Sequence, residues 1–246
     1  MKTDRCHFIN VLRGAALINM FIYHAVWNMH NLFGQNISWL HATPAYLWQQ
    51  SGAALFIFLS GFCWALSHKH IKRSLTILGC AFLIFAVTYF FDSNNLITFG
   101  ILSFIGSAML LMLPIQKLIY KIKPAAGLTG SFILFFVLKN TGHGYIGLLN
   151  WQCQLPLNWY ANYFTAWLGL PPENFYSADY FPVIPWIFIY TGGYFACRLC
   201  RNCLNNNSIL YFDIKPLSAL GRHSLAAYLI HQPVIYGLML LWYKCL

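Results

Sequence analysis

Apolar residues run through this chain in blocks long enough to cross a bilayer, about 20 residues each. Seven stretches qualify: 10–29, 46–67, 74–91, 96–116, 125–139, 181–198 and 217–243. The fifth is the shortest. Several of these blocks carry polar residues at helical spacing, so the pattern predicts amphipathic helices in a bundle. Between the fifth and sixth blocks, residues 140–180 form a long connection rich in Trp, Tyr, Pro and Asn. Its aromatic run 159–168 predicts a short interfacial helix. The fold expected is an all-α polytopic bundle, one transmembrane domain spanning 1–246.

Composition agrees. Hydrophobic residues make up 59% and charged residues 8% of the 246 positions, whereas soluble domains carry about 25% charged residues. The net charge of +10 therefore reports on orientation rather than on nucleic acid, and no nucleic-acid partner is expected. With the N-terminus inside, the inner side collects Lys2, Arg5, Arg13, Lys69, Lys72, Arg73, Lys117, Lys121, Lys123, Arg198, Arg201, Lys215 and Arg222, leaving Lys139 and Lys244 outside. Seven spans, N-in and C-out, follow from that asymmetry. The first block contains Arg13, His24 and Asn28 and no small-residue cleavage site, so it reads as a retained helix rather than a cleaved leader.

Polar groups inside spans mark function by default. At about 100° per residue, Asn10, Arg13, His24, Asn28 and Asn31 share one stripe of the first helix, with Asn19 opposite. The second span aligns Gln49, Gly52, Phe56, Ser60, Cys63 and Ser67, which suits close helix approach at Ser60-Gly61. His41 lies just ahead of that span. The last span opens with Gly221-Arg222-His223-Ser224 and continues one face through Tyr228, His231 and Gln232, followed by Pro233. Arg222 and His223 beside a helix N-terminus suit a phosphate. No Asp or Glu lies securely within a span, which points to imidazole as a base. Cys197, Cys200 and Cys203 are spaced C-x2-C-x2-C, but a metal site wants a fourth ligand. None follows at a suitable spacing, so no metal is expected.

Four segments carry a resemblance. They are Asn10-Val11-Leu12-Arg13-Gly14 leading to Tyr23-His24-Ala25-Val26-Trp27-Asn28, then Phe56 to Gly61, then Phe99 to Gly106, and finally Gly221-Arg222-His223-Ser224 through Tyr228 to Pro233. In this order they resemble the heparan-alpha-glucosaminide N-acetyltransferase-like membrane acyltransferases. The resemblance implies transfer of an acetyl or other acyl group from cytoplasmic acyl-CoA, the co-substrate, to a sugar or glycan acceptor across the membrane. Membrane lipids are then partners, a homodimer is compatible, and a bacterial inner membrane is the expected location. Where the family leads one to expect Asp, this chain has Asn10 and Asn28, and it has Ser103 where His is frequent.

In this reading Arg13, Arg73, Arg222 and His223 face the phosphates of CoA. Ser60, Ser224, Tyr228 and Gln232 line its path. Asn28, His231 or Gln232 donates to the thioester oxyanion. His24 and His41 compete as base; His41-Ala42 resembles the segment holding the active His in the family's lysosomal branch. His24 lies about 16 Å above Arg13 at the helical rise, which places it nearest the thioester and leaves His41 for the acceptor. The alternatives are a transporter or channel for a small anion or glycolipid along the same stripe, or an accessory subunit without catalysis.

Overall fold

The computed structural model describes residues 7–148, 151–200 and 212–245. It is helical: α1 His7–Asn31, α2 Thr43–Ala65, α3 His70–Phe91, α4 Ile101–Ile119, α5 Pro124–Leu138, α6 Tyr163–Leu168, α7 Val183–Cys200, α8 Lys215–Arg222 and α9 Ser224–Cys245. Five of these are long and apolar enough to cross a membrane: α1, α3, α4, α7 and α9 over Ser224–Lys244. The chain is thus an integral membrane protein. Two expected spans differ from that set. The second is a helix of 23 residues, α2, but it carries Gln49, Gln50 and Ser51 in its first half. The fifth, α5, has only 15 residues, or about 22 Å at helical rise, short of a hydrocarbon core of about 30 Å.

The chain departs from the sequence expectation in two further places. Block 217–243 is not one helix: α8 ends at Arg222, His223 is non-helical, and α9 starts at Ser224. The connection between α5 and α7 also holds an antiparallel hairpin, β1 Tyr145–Leu148 with β2 Trp151–Gln154. The aromatic run 159–168 does contain a helix, the six-residue α6. Asn162 caps it by accepting from the Phe164 and Thr165 N–H groups.

The residues group into two compact units, Met1–Leu59 with Asn202–Leu246 and Ser60–Arg201. In the first, α8 lies along α1 with backbone against backbone. A Cβ on Gly14 would stand 2.1 Å from the Leu217 carbonyl oxygen, and one on Gly221 would stand 1.9 Å from that of Asn10. Only hydrogen fits at either point. α9 packs on α1 as well, and Asn19 of α1 accepts a 2.7 Å hydrogen bond from the Trp48 indole.

In the second unit α7 is the buried helix, packed by α4 and α5. Tyr190, Phe104 and Met112 are among the most buried side chains of the chain. Gly61 sits where a Cβ would lie 1.9 Å from the Tyr190 carbonyl oxygen, and Gly127 lies under the Phe195 ring; the close approach expected at Ser60-Gly61 is there. Ser74 donates to the Gly106 carbonyl at 2.7 Å, and Trp64 to that of Met109 at 3.2 Å. Arg198 closes α4 from outside by donating to the Tyr120 carbonyl at 2.8 Å, where the helix end is partially negative. α3 differs: its outer face exposes Phe82, Leu83, Phe90 and Phe91, a surface suited to lipid.

Candidate active site

The polar stripe of α1 faces α9 within the first unit, and the two helices are joined by side chains at both ends. Towards the N-terminal end of α1, Arg13 donates to the Ser224 hydroxyl in a short hydrogen bond. The approach is possible because Gly14 and Gly221 let α8, just before Ser224, lie against α1. The Arg13 Nε is buried with no partner among the described residues, so the guanidinium has spare donor capacity. Arg222 and His223 are exposed beside the start of α9.

Towards the C-terminal end of α1 runs a directed chain of hydrogen bonds. Asn28, almost wholly buried, donates through Nδ2 to Gln232 Oε1 at 3.0 Å. Gln232 Nε2 donates in turn to His24 Nδ1 at 3.0 Å. An amide nitrogen only donates, so His24 Nδ1 carries the lone pair and its proton is on Nε2. The two amides therefore set His24 as a donor at its outer nitrogen. His231 is set the other way. Its Nδ1 meets the Tyr228 carbonyl in a short contact; a carbonyl only accepts, so Nδ1 carries the proton and Nε2 is a lone pair. That Nε2 is buried with no partner among the described residues. The ring stacks on Phe21 at 5.5 Å and tilts against His24 at 4.9 Å. Of the suggested oxyanion donors, neutral His231 is thus an acceptor at its unpaired nitrogen, whereas His24 has the N–H.

His41 ends a 3₁₀ turn, Ser38–His41, anchored by buried Leu40. Its Nε2 lies 2.9 Å from Nε2 of His30, at the end of α1. Below it the rings form a series: Trp39 stacks on Trp48, Trp48 meets Tyr23 edge-on, and Tyr23 meets His24 edge-on.

The structure therefore brings together Arg13 with Ser224, and Asn28 with Gln232 and His24, with His231 alongside. Ser60 and Arg73 belong to the other unit, where Arg73 donates to the Ser67 hydroxyl at 2.6 Å. Sequence reasoning passed over His30, Trp48 and Asn19. Asn19 lay opposite the stripe, and Trp48 reaches it from α2. His30 sits about 200° round the helix from Asn28, so periodicity alone excluded it. Lys2, Arg5, Arg201 and Cys203 fall outside the described residues. Among the described residues no group of three or more His, Cys, Asp or Glu side chains is placed to hold a metal ion.

The family model described as heparan-alpha-glucosaminide N-acetyltransferase, catalytic, matches residues 5–233. The chain belongs to this family. The match runs from just before α1 to Pro233 and takes in every α1–α9 contact described above. Membership makes this a membrane protein of an acetyltransferase family. No curated protein and no solved structure matches the chain.

Proposed function

We propose that this protein transfers an acetyl group from cytoplasmic acetyl-CoA to a hydroxyl or amine of a sugar acceptor on the far side of a bacterial inner membrane. It does so as one membrane domain with its N-terminus inside. The observation that carries the reading is the Asn28–Gln232–His24 chain, which points an imidazole N–H out of a polar stripe that has a cation at its other end.

Arg222 and His223, beside the N-terminus of α9, and the spare Nε of Arg13 bind the phosphates of CoA, with Ser224 holding the Arg13 guanidinium in place. Tyr228 lines the path between the two ends. His24 Nε2–H donates to the thioester carbonyl oxygen and tightens as that oxygen gains negative charge. His41 takes the proton from the acceptor O–H or N–H as the new bond to the carbonyl carbon forms. The carbon–sulfur bond then breaks, and His41 returns the proton to the departing thiolate. The lone pair of His231 Nε2 accepts a hydrogen bond from the bound substrate.

The test is thiol release and acetyl transfer by purified protein in lipid nanodiscs, with acetyl-CoA as donor and glucosamine as acceptor. His24→Ala is expected to lose transfer and hydrolysis about 100- to 1,000-fold, while His41→Ala loses transfer and keeps residual hydrolysis. Protein that neither binds nor hydrolyses acetyl-CoA would sink the reading. Loss of transfer with intact hydrolysis in His24→Ala, and of both in His41→Ala, would exchange the two roles.

A further inference from the structure

We propose that His30 is the positioning residue of His41, fixing its tautomer so that Nδ1 is the nitrogen available to take a proton. The inference rests on the reading of His41 as base and adds a residue that the helical stripe does not include.

The argument starts at the backbone. His30 Nδ1 lies 2.8 Å from the Gln35 carbonyl oxygen. A carbonyl only accepts, so this nitrogen carries the ring proton. The Ile37 N–H faces the same nitrogen from 3.3 Å; one nitrogen cannot serve both, and the shorter contact decides. Neutral His30 then has its lone pair on Nε2. That lone pair stands 2.9 Å from His41 Nε2, so the proton between the rings belongs to His41. His41 is left with its lone pair on Nδ1. The ring centroids are 4.9 Å apart and the planes are turned by 68°, a twist that an N–H···N bond between two ring edges allows.

A catalytic histidine is usually held in one tautomer by a carboxylate. This chain has five Asp and Glu residues in all, and among the described residues the histidine–carboxylate pair is His7 with Asp213 at 3.3 Å. His30 supplies the missing acceptor. It is held at the end of α1, where the chain turns back through Gln35 and Ile37 to reach His41. When His41 Nδ1 takes the acceptor proton, the ring becomes imidazolium. Its Nε2–H still points at His30, and that hydrogen bond strengthens because the donor is now charged. His30 stays neutral, and the proton leaves by Nδ1 to the CoA thiolate.

Two measurements test this on the full chain in nanodiscs. The first is steady-state transfer from acetyl-CoA to glucosamine by wild type, His30→Ala and His30→Gln. The Gln side chain keeps an acceptor oxygen near the position of Nε2. His30→Ala is expected to lower kcat 10- to 100-fold with KM for acetyl-CoA within twofold, and His30→Gln to restore kcat to within about fivefold of wild type. Unchanged kcat in His30→Ala, a loss expressed mainly in KM, or His30→Gln as poor as His30→Ala overturns the proposal. The second is the nitrogen resonances of histidine-labelled protein, which report tautomers without any turnover. His30 protonated on Nδ1 and His41 on Nε2 support the assignment, and the opposite pair overturns it. If wild type shows no thiol release, the functional reading fails, while the resonances still decide whether His30 sets His41.

Discussion

The two units hold their helices together by different means. In the first, α1 and α9 are tied by side chain to side chain: Arg13 to Ser224, Asn28 to Gln232, Gln232 to His24. In the second, α7 is surrounded by rings and aliphatic groups, and the polar bonds there mostly end on backbone carbonyls, as from Ser74 and Trp64. The apolar window of α7 is 67% buried, whereas that of α9 is 11% buried. Enclosed mainly by apolar neighbours, α7 shares a buried side-chain hydrogen bond with α5, Ser131 with Thr191 at 3.1 Å, while α9 is fixed to α1 by a series of them. On the proposed function, this difference puts the chemistry in the first unit and the rigidity in the second. It also predicts that substitutions in the two units fail in different assays.

The largest effect should come from Gly61→Leu. Its side chain would enter the Tyr190 backbone, and overpacking of this kind costs about 1–3 kcal/mol, more where backbone must move. A drop in melting temperature well beyond that of His24→Ala is expected in detergent. Equal melting of the two variants would mean that Gly61 is not at a tight contact. Next comes His41→Ala, for which transfer should fall about 100- to 10,000-fold with the melting curve unchanged. If the curve falls with it, His41 is structural and the comparison between the units fails at its main point.

A subtler variant is Asn28→Asp, which installs the carboxylate that the family resemblance leads one to expect. A carboxylate only accepts, so Gln232 must turn its amide towards it and present Oε1 to His24. The His24 proton then moves to Nδ1, and the outer nitrogen loses its N–H. Acetyl transfer is expected to fall about 10- to 100-fold through loss of one oxyanion donor; faster transfer would show that His24 works as an acceptor.

The smallest effect concerns Asp179, in the connection between α5 and α7. Its carboxylate accepts from the Ile101 N–H at 3.0 Å and so caps α4. Burial raises its pKa from 3.8 to about 6, against the opposing backbone hydrogen bond. A raised carboxyl pKa means that the folded chain binds the proton more tightly than the unfolded one. Stability is therefore greatest below about pH 4 and falls as pH rises to about 6. Asp179→Asn should flatten that segment of a melting-temperature profile; an unchanged slope would assign it to another group.

Periodicity made much of the first unit legible. Residues 10, 13, 24 and 28 on one helix and 224, 228, 231 and 232 on another carry the polar spacing, and α1 and α9 bring these faces together. What the spacing did not contain were contacts made through turns and through backbone. His30 reaches His41 because residues 32–37 reverse the chain. α8 was hidden in an apolar block, although Lys215, Ser218 and Arg222 give it a polar side, because a break at one residue, His223, leaves no mark on an averaged hydrophobic pattern. The hairpin escaped because it needs Gly147 at φ +129°, a conformation open chiefly to glycine, within a stretch otherwise read by its aromatic content.

The paired contacts of Gly14 with Leu217 and of Gly221 with Asn10 bear on how this sequence can drift. The segments Asn10-Val11-Leu12-Arg13-Gly14 and Gly221-Arg222-His223-Ser224 read as chemical signatures, yet one residue in each is there for its size. No single enlargement at 14 or 221 has an escape route, since what it meets is the opposing main chain rather than a side chain that a second change can trim. These two positions are consequently frozen one at a time, and a lineage can leave them only by prising α8 off α1 altogether. It would then lose the approach that delivers Arg13 to Ser224.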